Sequence, residues 1–89
     1  HCSFTIRAMP RMSGKVDREK YLVRFGEVVR ARRSVLALSQ EALADLAEID
    51  RSHMGKIERG ERNITFLNIV KIAKAIECRP SELLAEAGL

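Results

Sequence analysis

The 89 residues carry 46% hydrophobic and 31% charged side chains, a balance that fits one globular domain with a modest core and excludes both a disordered chain and a multidomain one. The formal charge of +4 says little about a nucleic-acid partner: Arg7, Arg11 and Lys15 supply three charges within the first sixteen residues, and beyond them thirteen basic groups face twelve acidic ones. No apolar run approaches the ~18 residues that span a bilayer, there is no apolar leader segment, and Cys2 and Cys78 read as free thiols of a reducing compartment, so the expectation is a soluble cytoplasmic protein.

In chain order, residues 1–16 lack periodicity, contain Pro10 and Gly14, and read as a basic N-terminal arm. The arm is either simply flexible, able to touch a DNA backbone or a partner, or a remnant preceding a native start at Met9 or Met12. The folded domain is expected over 17–89. Leu22, Phe25, Val29 and Leu36 follow helical spacing with Arg33 on the same stripe, which predicts a first helix over 17–35. Only Tyr21, Phe4, Phe25 and Phe66 are aromatic, so the core must be aliphatic.

Ser39, Asp50 and Thr65 are good N-cap residues, and each lies between two apolar residues at staple spacing: Leu38 with Leu43, Ile49 with Met54, Ile64 with Ile69. Cys78 and Leu83 repeat the device loosely around Pro80, which suits a first helical position. These signals predict further helices over 40–47, 51–58, 66–77 and 80–87. Gly60 and Gly88 stand where helices commonly end left-handed. There is no strand pattern, so the fold class is all-α with five helices. Only Glu48, Ile49 and Asp50 link the second and third helices, too few for an antiparallel pair and suited to the steep crossing of a helix-turn-helix.

The second helix of such a unit fits the major groove with its N-terminal residues at base edges. Met54, Ile57 and Glu58 share its inner side, while Arg51, Ser52, Gly55 and Lys56 fall toward the other and are the candidate base-reading positions. Arg51 suits a bidentate contact with guanine, and Ser52 can bond to several bases. His53 borders this face, reaching DNA or solvent. Gly55 permits either close approach of a base or sugar or packing against the preceding helix. Gln40, at a helix N-terminus, and Arg59, Arg62 and Asn63, in the following loop, are the candidate DNA-backbone contacts, with Glu61 weakening the local field. Arg33 and Glu58 both fall on inward faces, and a charge there needs a partner, so the two are expected to pair.

The runs Leu38-Ser39-Gln40-Glu41-Ala42-Leu43-Ala44, Asp50-Arg51-Ser52 and Ile57-Glu58-Arg59-Gly60-Glu61-Arg62-Asn63 resemble the phage-repressor/Cro (Xre) helix-turn-helix family, and within it the restriction–modification controller proteins. Arg30 and Arg33 resemble the arginine pair ending that family's first helix, and Leu83-Leu84 its last apolar pair. The resemblance spans about 22–85. It implies a compact five-helix domain, usually a homodimer, that binds palindromic double-stranded DNA and regulates transcription. It also implies groove-facing or backbone-contacting roles for Gln40, Arg51, Ser52, Gly55 and Lys56, and an Arg33–Glu58 salt bridge. The chain departs from the pattern at Glu48, where the family usually has a left-handed glycine.

The candidate dimer surface is C-terminal: Leu84, Leu89 and either Phe66 or Leu67, all but Leu89 being equally suited to the monomer core. No metal-ligand spacing links His1, Cys2, His53 and Cys78, no catalytic triad or phosphate-cradling loop is present, and no cofactor or small-molecule ligand is evident. The rival reading is an antitoxin or other protein-interaction module with a helix-turn-helix, although only the short arm before Asp17 is left to bind a toxin.

Overall fold

A computed structural model describes residues 20–89, which form α1 (Tyr21–Val35), α2 (Gln40–Ala47), α3 (Arg51–Arg59), α4 (Phe66–Ala75) and α5 (Pro80–Glu86) with no strand among them. Each expected cap is made. Ser39 Oγ accepts from the Ala42 N–H at 3.0 Å, Asp50 Oδ2 from the Ser52 N–H at 3.1 Å, and Thr65 Oγ1 from the Asn68 N–H at 3.2 Å. Pro80 opens α5, where the Glu82 side chain reaches back to the Arg79 N–H at 2.8 Å.

The helix ends share a second device. After every helix two backbone N–H groups fold back onto the last carbonyls, as in Ile49 to Ala44 at 2.9 Å and Glu48 to Asp45 at 3.2 Å, around a residue of positive φ. The five pivots are Ala37, Glu48, Gly60, Glu77 and Gly88, with φ between 57° and 84°. The next residue is apolar after α1, α2, α4 and α5, namely Leu38, Ile49, Cys78 and Leu89, so the same Leu38, Ile49 and Cys78 that staple a helix start also seal the helix before it.

Phe25, Val29, Leu43, Ala44, Met54, Ile57, Ile72 and Leu83 fill the centre, with Ile64, Ile69, Cys78 and Leu84 packed against it. α1 lies on α3 and α5, α2 on α3 and α4, and α4 on α5. The α1–α3 seam is tight: a Cβ added to Gly26 would stand 2.4 Å from the Glu58 carbonyl oxygen and 2.6 Å from that of Ile57, and one on Gly60 would stand 2.7 Å from the Val23 backbone. At the other end of α1, Arg32 pairs with Glu86 and ties α1 to α5.

Several expectations are corrected. The first helix begins at Tyr21 behind a left-handed Lys20, not at 17; residues 17–19, with the predicted arm, lie outside the described residues. Leu36 is 41% exposed because the helix has already turned at that point, so the stripe ends at Val29 and Arg33. α3 runs one residue longer than read, whereas α4 stops at Ala75 and α5 at Glu86 because Glu77 and Gly88 provide the left-handed turns. No helix among the described residues is long and apolar enough to cross a membrane.

Candidate nucleic-acid interface

Helix α3 is held by one side and open on the other. Met54, Gly55, Ile57 and Glu58 are buried, while Arg51 and Ser52 are exposed and Lys56 half-buried. The inner side is fixed by charge as well as by packing. Arg33 Nε donates to Glu58 Oε2 at 2.8 Å and Arg33 Nη2 to Oε1 at 3.0 Å, a two-pronged pair whose side chains are only 16% and 3% exposed. Arg33 Nη1 also donates to the Leu38 carbonyl at 2.9 Å. The expected pair is therefore present, and it joins α1, the approach to α2 and α3 in one network.

Gln40 extends that network. Its Nε2 donates to Glu58 Oε1 at 3.2 Å, so one amide hydrogen is turned inward rather than outward as the sequence reading has it. Its Oε1 lies 3.2 Å from the position a Cβ on Gly55 would take, with Arg59 Nη1 at 3.1 Å on the other flank. The bare Gly55 backbone thus accommodates two long side chains, one of them from α2, in accord with the packing alternative.

Gln40, Asp50, Arg51, Ser52, Gly55, Lys56 and Arg59 together line one open surface depression. The structure brings together every predicted base-reading residue, with two of the predicted backbone contacts. Arg62 and Asn63 follow in the exposed loop between α3 and α4. Arg51, Lys56 and Arg62 take no part in the ion pairs among the described residues, whereas Arg59 is bound by Glu61 at 3.0 and 3.3 Å. That contact holds the Glu61 carboxyl below its usual range and reduces the free positive charge at this end. His53 is half-buried, and its Nε2 lies 3.5 Å from Asn68 Nδ2 on α4.

Ser52 is not idle. Its hydroxyl donates to Asp50 Oδ2, the oxygen that also caps the helix. Hydrogen bonding by Ser52, together with backbone N–H groups of His53 and Ser52, lowers the pKa of the Asp50 carboxyl, which is therefore ionised on the face that carries Arg51.

Sequence reasoning missed Gly26 as the residue on which the α1–α3 seam depends. The available signal was a glycine inside a 15-residue helix, where it is intrinsically unfavourable.

Two helices joined by a three-residue corner, the second anchored from behind and bare in front, define a helix-turn-helix DNA-binding domain. The chain belongs to the helix-turn-helix family, whose profile matches residues 30–83. It is similar to the control protein C.SmaI of Serratia marcescens, 40% identical over 63 residues that cover 71% of this chain and 75% of that protein. It is also similar to the control protein C.BamHI of Bacillus amyloliquefaciens, 44% identical over 61 residues covering 67% and 75%. Among solved structures, the restriction-modification controller protein C.AhdI from Aeromonas hydrophila superposes with a TM-score of 0.69 at 48% identity, over 70% of this chain and 94% of that one. The chain is thus a DNA-binding transcription regulator with the five-helix phage-repressor-like fold.

Proposed function

We propose that this regulator reads a palindromic operator as a homodimer, inserting α3 into the major groove of each half-site. The observation that carries the reading is the two-sidedness of α3: Arg51 and Ser52 stand exposed and the half-buried Lys56 lines the same open depression, while Glu58, on the opposite side, is fixed by Arg33. A helix anchored in this way meets DNA as a rigid edge, so that Arg51 addresses guanine and Ser52, Gly55 and Lys56 border the neighbouring bases. Gln40, through its second amide hydrogen, and Arg59, Arg62 and Asn63 set the register on phosphates.

A nine-residue helix reads few base pairs, and two copies about one DNA turn apart give useful specificity. Phe66 and Leu67, 75% and 68% exposed at the start of α4, supply an apolar surface for the second copy; Leu89 is exposed as well, whereas Leu84 packs against the core. The activity is binding rather than catalysis, in the cytoplasm, with no cofactor or small-molecule ligand. Kinship with the control proteins extends the reading to regulation of restriction–modification genes.

Selection from random duplexes tests this directly. A two-fold symmetric consensus, bound with an affinity that falls steeply with salt, supports it; no enriched sequence, or an asymmetric one bound by a monomer, overturns it. Arg62→Ala should weaken binding to all duplexes alike and reduce the salt slope by about one, the behaviour of a phosphate contact.

A further inference from the structure

An ionised acid is out of keeping with a surface that must approach a polyanion. Asp50 is exposed, lies in the same depression as Arg51, Ser52 and Lys56, and is the residue that begins α3. Capping alone does not require its charge. Ser39 and Thr65 perform the same task for α2 and α4 with neutral hydroxyls, each at a bond length close to that made by Asp50. Both hydrogen bonds from Ser52 converge on Oδ2 and the His53 N–H also reaches the carboxylate, yet a carboxylate offers about four acceptor sites, so capacity remains for one outside donor.

In the major groove the donors are the exocyclic amino groups of cytosine and adenine, while guanine and thymine present only acceptors and a methyl group. A carboxylate separates the two donor bases as well. Adenine carries the N7 lone pair beside the amino group, where it repels the second carboxylate oxygen; cytosine has only a C–H there. Phosphates repel the group outright.

We propose that Asp50 is a specificity determinant that accepts a hydrogen bond from the N4 amino group of cytosine. This rests on the reading of α3 as the groove-facing helix. Next to Arg51, the natural reader of guanine O6 and N7, it makes the start of α3 selective for a cytosine and a guanine, on one base pair or on neighbouring pairs.

The test is selection from random duplexes with the full chain and with Asp50→Asn, followed by binding of single-base variants of the enriched site. Asparagine caps a helix as well as aspartate and has nearly the same shape, and Asp50→Ser serves as a second variant that keeps a cap. The expected result is a cytosine in each half-site that the parent prefers by roughly tenfold or more over guanine or thymine, a preference lost in both variants while the other positions persist. An adenine required at that position, or unchanged preferences with uniformly tighter binding of every duplex by the variants, would overturn the proposal and leave Asp50 a cap alone. If the parent itself enriches no sequence, the groove-reading function fails first and this inference fails with it.

Discussion

Replacing Gly26 by alanine should destabilise the domain although it improves the helix. In an isolated helix, alanine is favoured over glycine by about 1 kcal/mol. Here the new methyl would meet the carbonyl oxygens of Glu58 and Ile57 at 2.4 and 2.6 Å and the Glu58 carbonyl carbon at 2.8 Å, all of them backbone atoms of α3 that cannot swing aside. Relief requires α1 to withdraw from α3 by on the order of 1 Å, and that opens the seam bridged by Arg33 and Glu58. Overpacking costs typically ~1–3 kcal/mol, and contacts this short with backbone belong at the upper end. After the helix gain the net loss is about 1–2 kcal/mol, a fall in Tm of roughly 4–16 °C for a domain of this size. Gly55→Ala is the matched control. Its methyl meets only the ends of the Arg59 and Gln40 side chains, at 3.1 and 3.2 Å, so stability should be kept or slightly raised. Thermal and urea unfolding followed by circular dichroism decide the matter. If Gly26→Ala melts at or above the parent temperature, the close α1–α3 approach is wrong.

Three further outcomes follow from the same geometry. Glu48→Gly should raise stability by up to about 1 kcal/mol, because Glu48 holds φ 58° and left-handed backbone is unfavourable for a residue with a side chain; an unchanged or lower urea midpoint would speak against strain there. Glu58→Ala should cost about 3–5 kcal/mol by stranding the Arg33 guanidinium, enough to unfold or loosen the domain, and full thermal stability would rule out a structural pair. Acidification should erode stability through Asp50, Glu61 and Glu86, whose carboxyls are held below their ordinary range by Ser52, Arg59 and Arg32 respectively. Depressed folded-state values mean that this contribution is present above the unfolded carboxylate pKa of about 4 and is lost as pH falls through the folded values, so Tm should decline below about pH 4 and stay level above it on their account.

What the sequence revealed was mainly what local chemistry announces. Ser39, Asp50 and Thr65 marked three helix starts because a cap needs only its own residue and the amide two or three positions on. Arg33 and Glu58 could be paired because helical periodicity puts each on an inward face and burial demands a partner. Helix ends were harder. The ends of α1 and α2 match the reading although their pivots, Ala37 and Glu48, are not glycine; α3 and α5 differ by one residue, and α4 stops two short of 77 because Glu77, which carries no glycine signal, is itself the left-handed pivot. Side-chain contacts were beyond periodicity: the inward amide of Gln40, the approach of His53 to Asn68 and the Arg59–Glu61 pair depend on three-dimensional neighbours. The crowding at Gly26 is likewise a property of two helices together.

The central claim is that Arg51 and its neighbours meet DNA in the major groove, and methylation interference on the selected operator tests it most directly. Methyl groups at guanine N7 project into the major groove, whereas those at adenine N3 lie in the minor groove. N7 methylation of a guanine in each half-site should block binding by the parent, and Arg51→Ala, weakened by about 1–3 kcal/mol, should lose its sensitivity at that guanine. Interference confined to adenine N3, or an N7 pattern that Arg51→Ala leaves unaltered, would contradict the account.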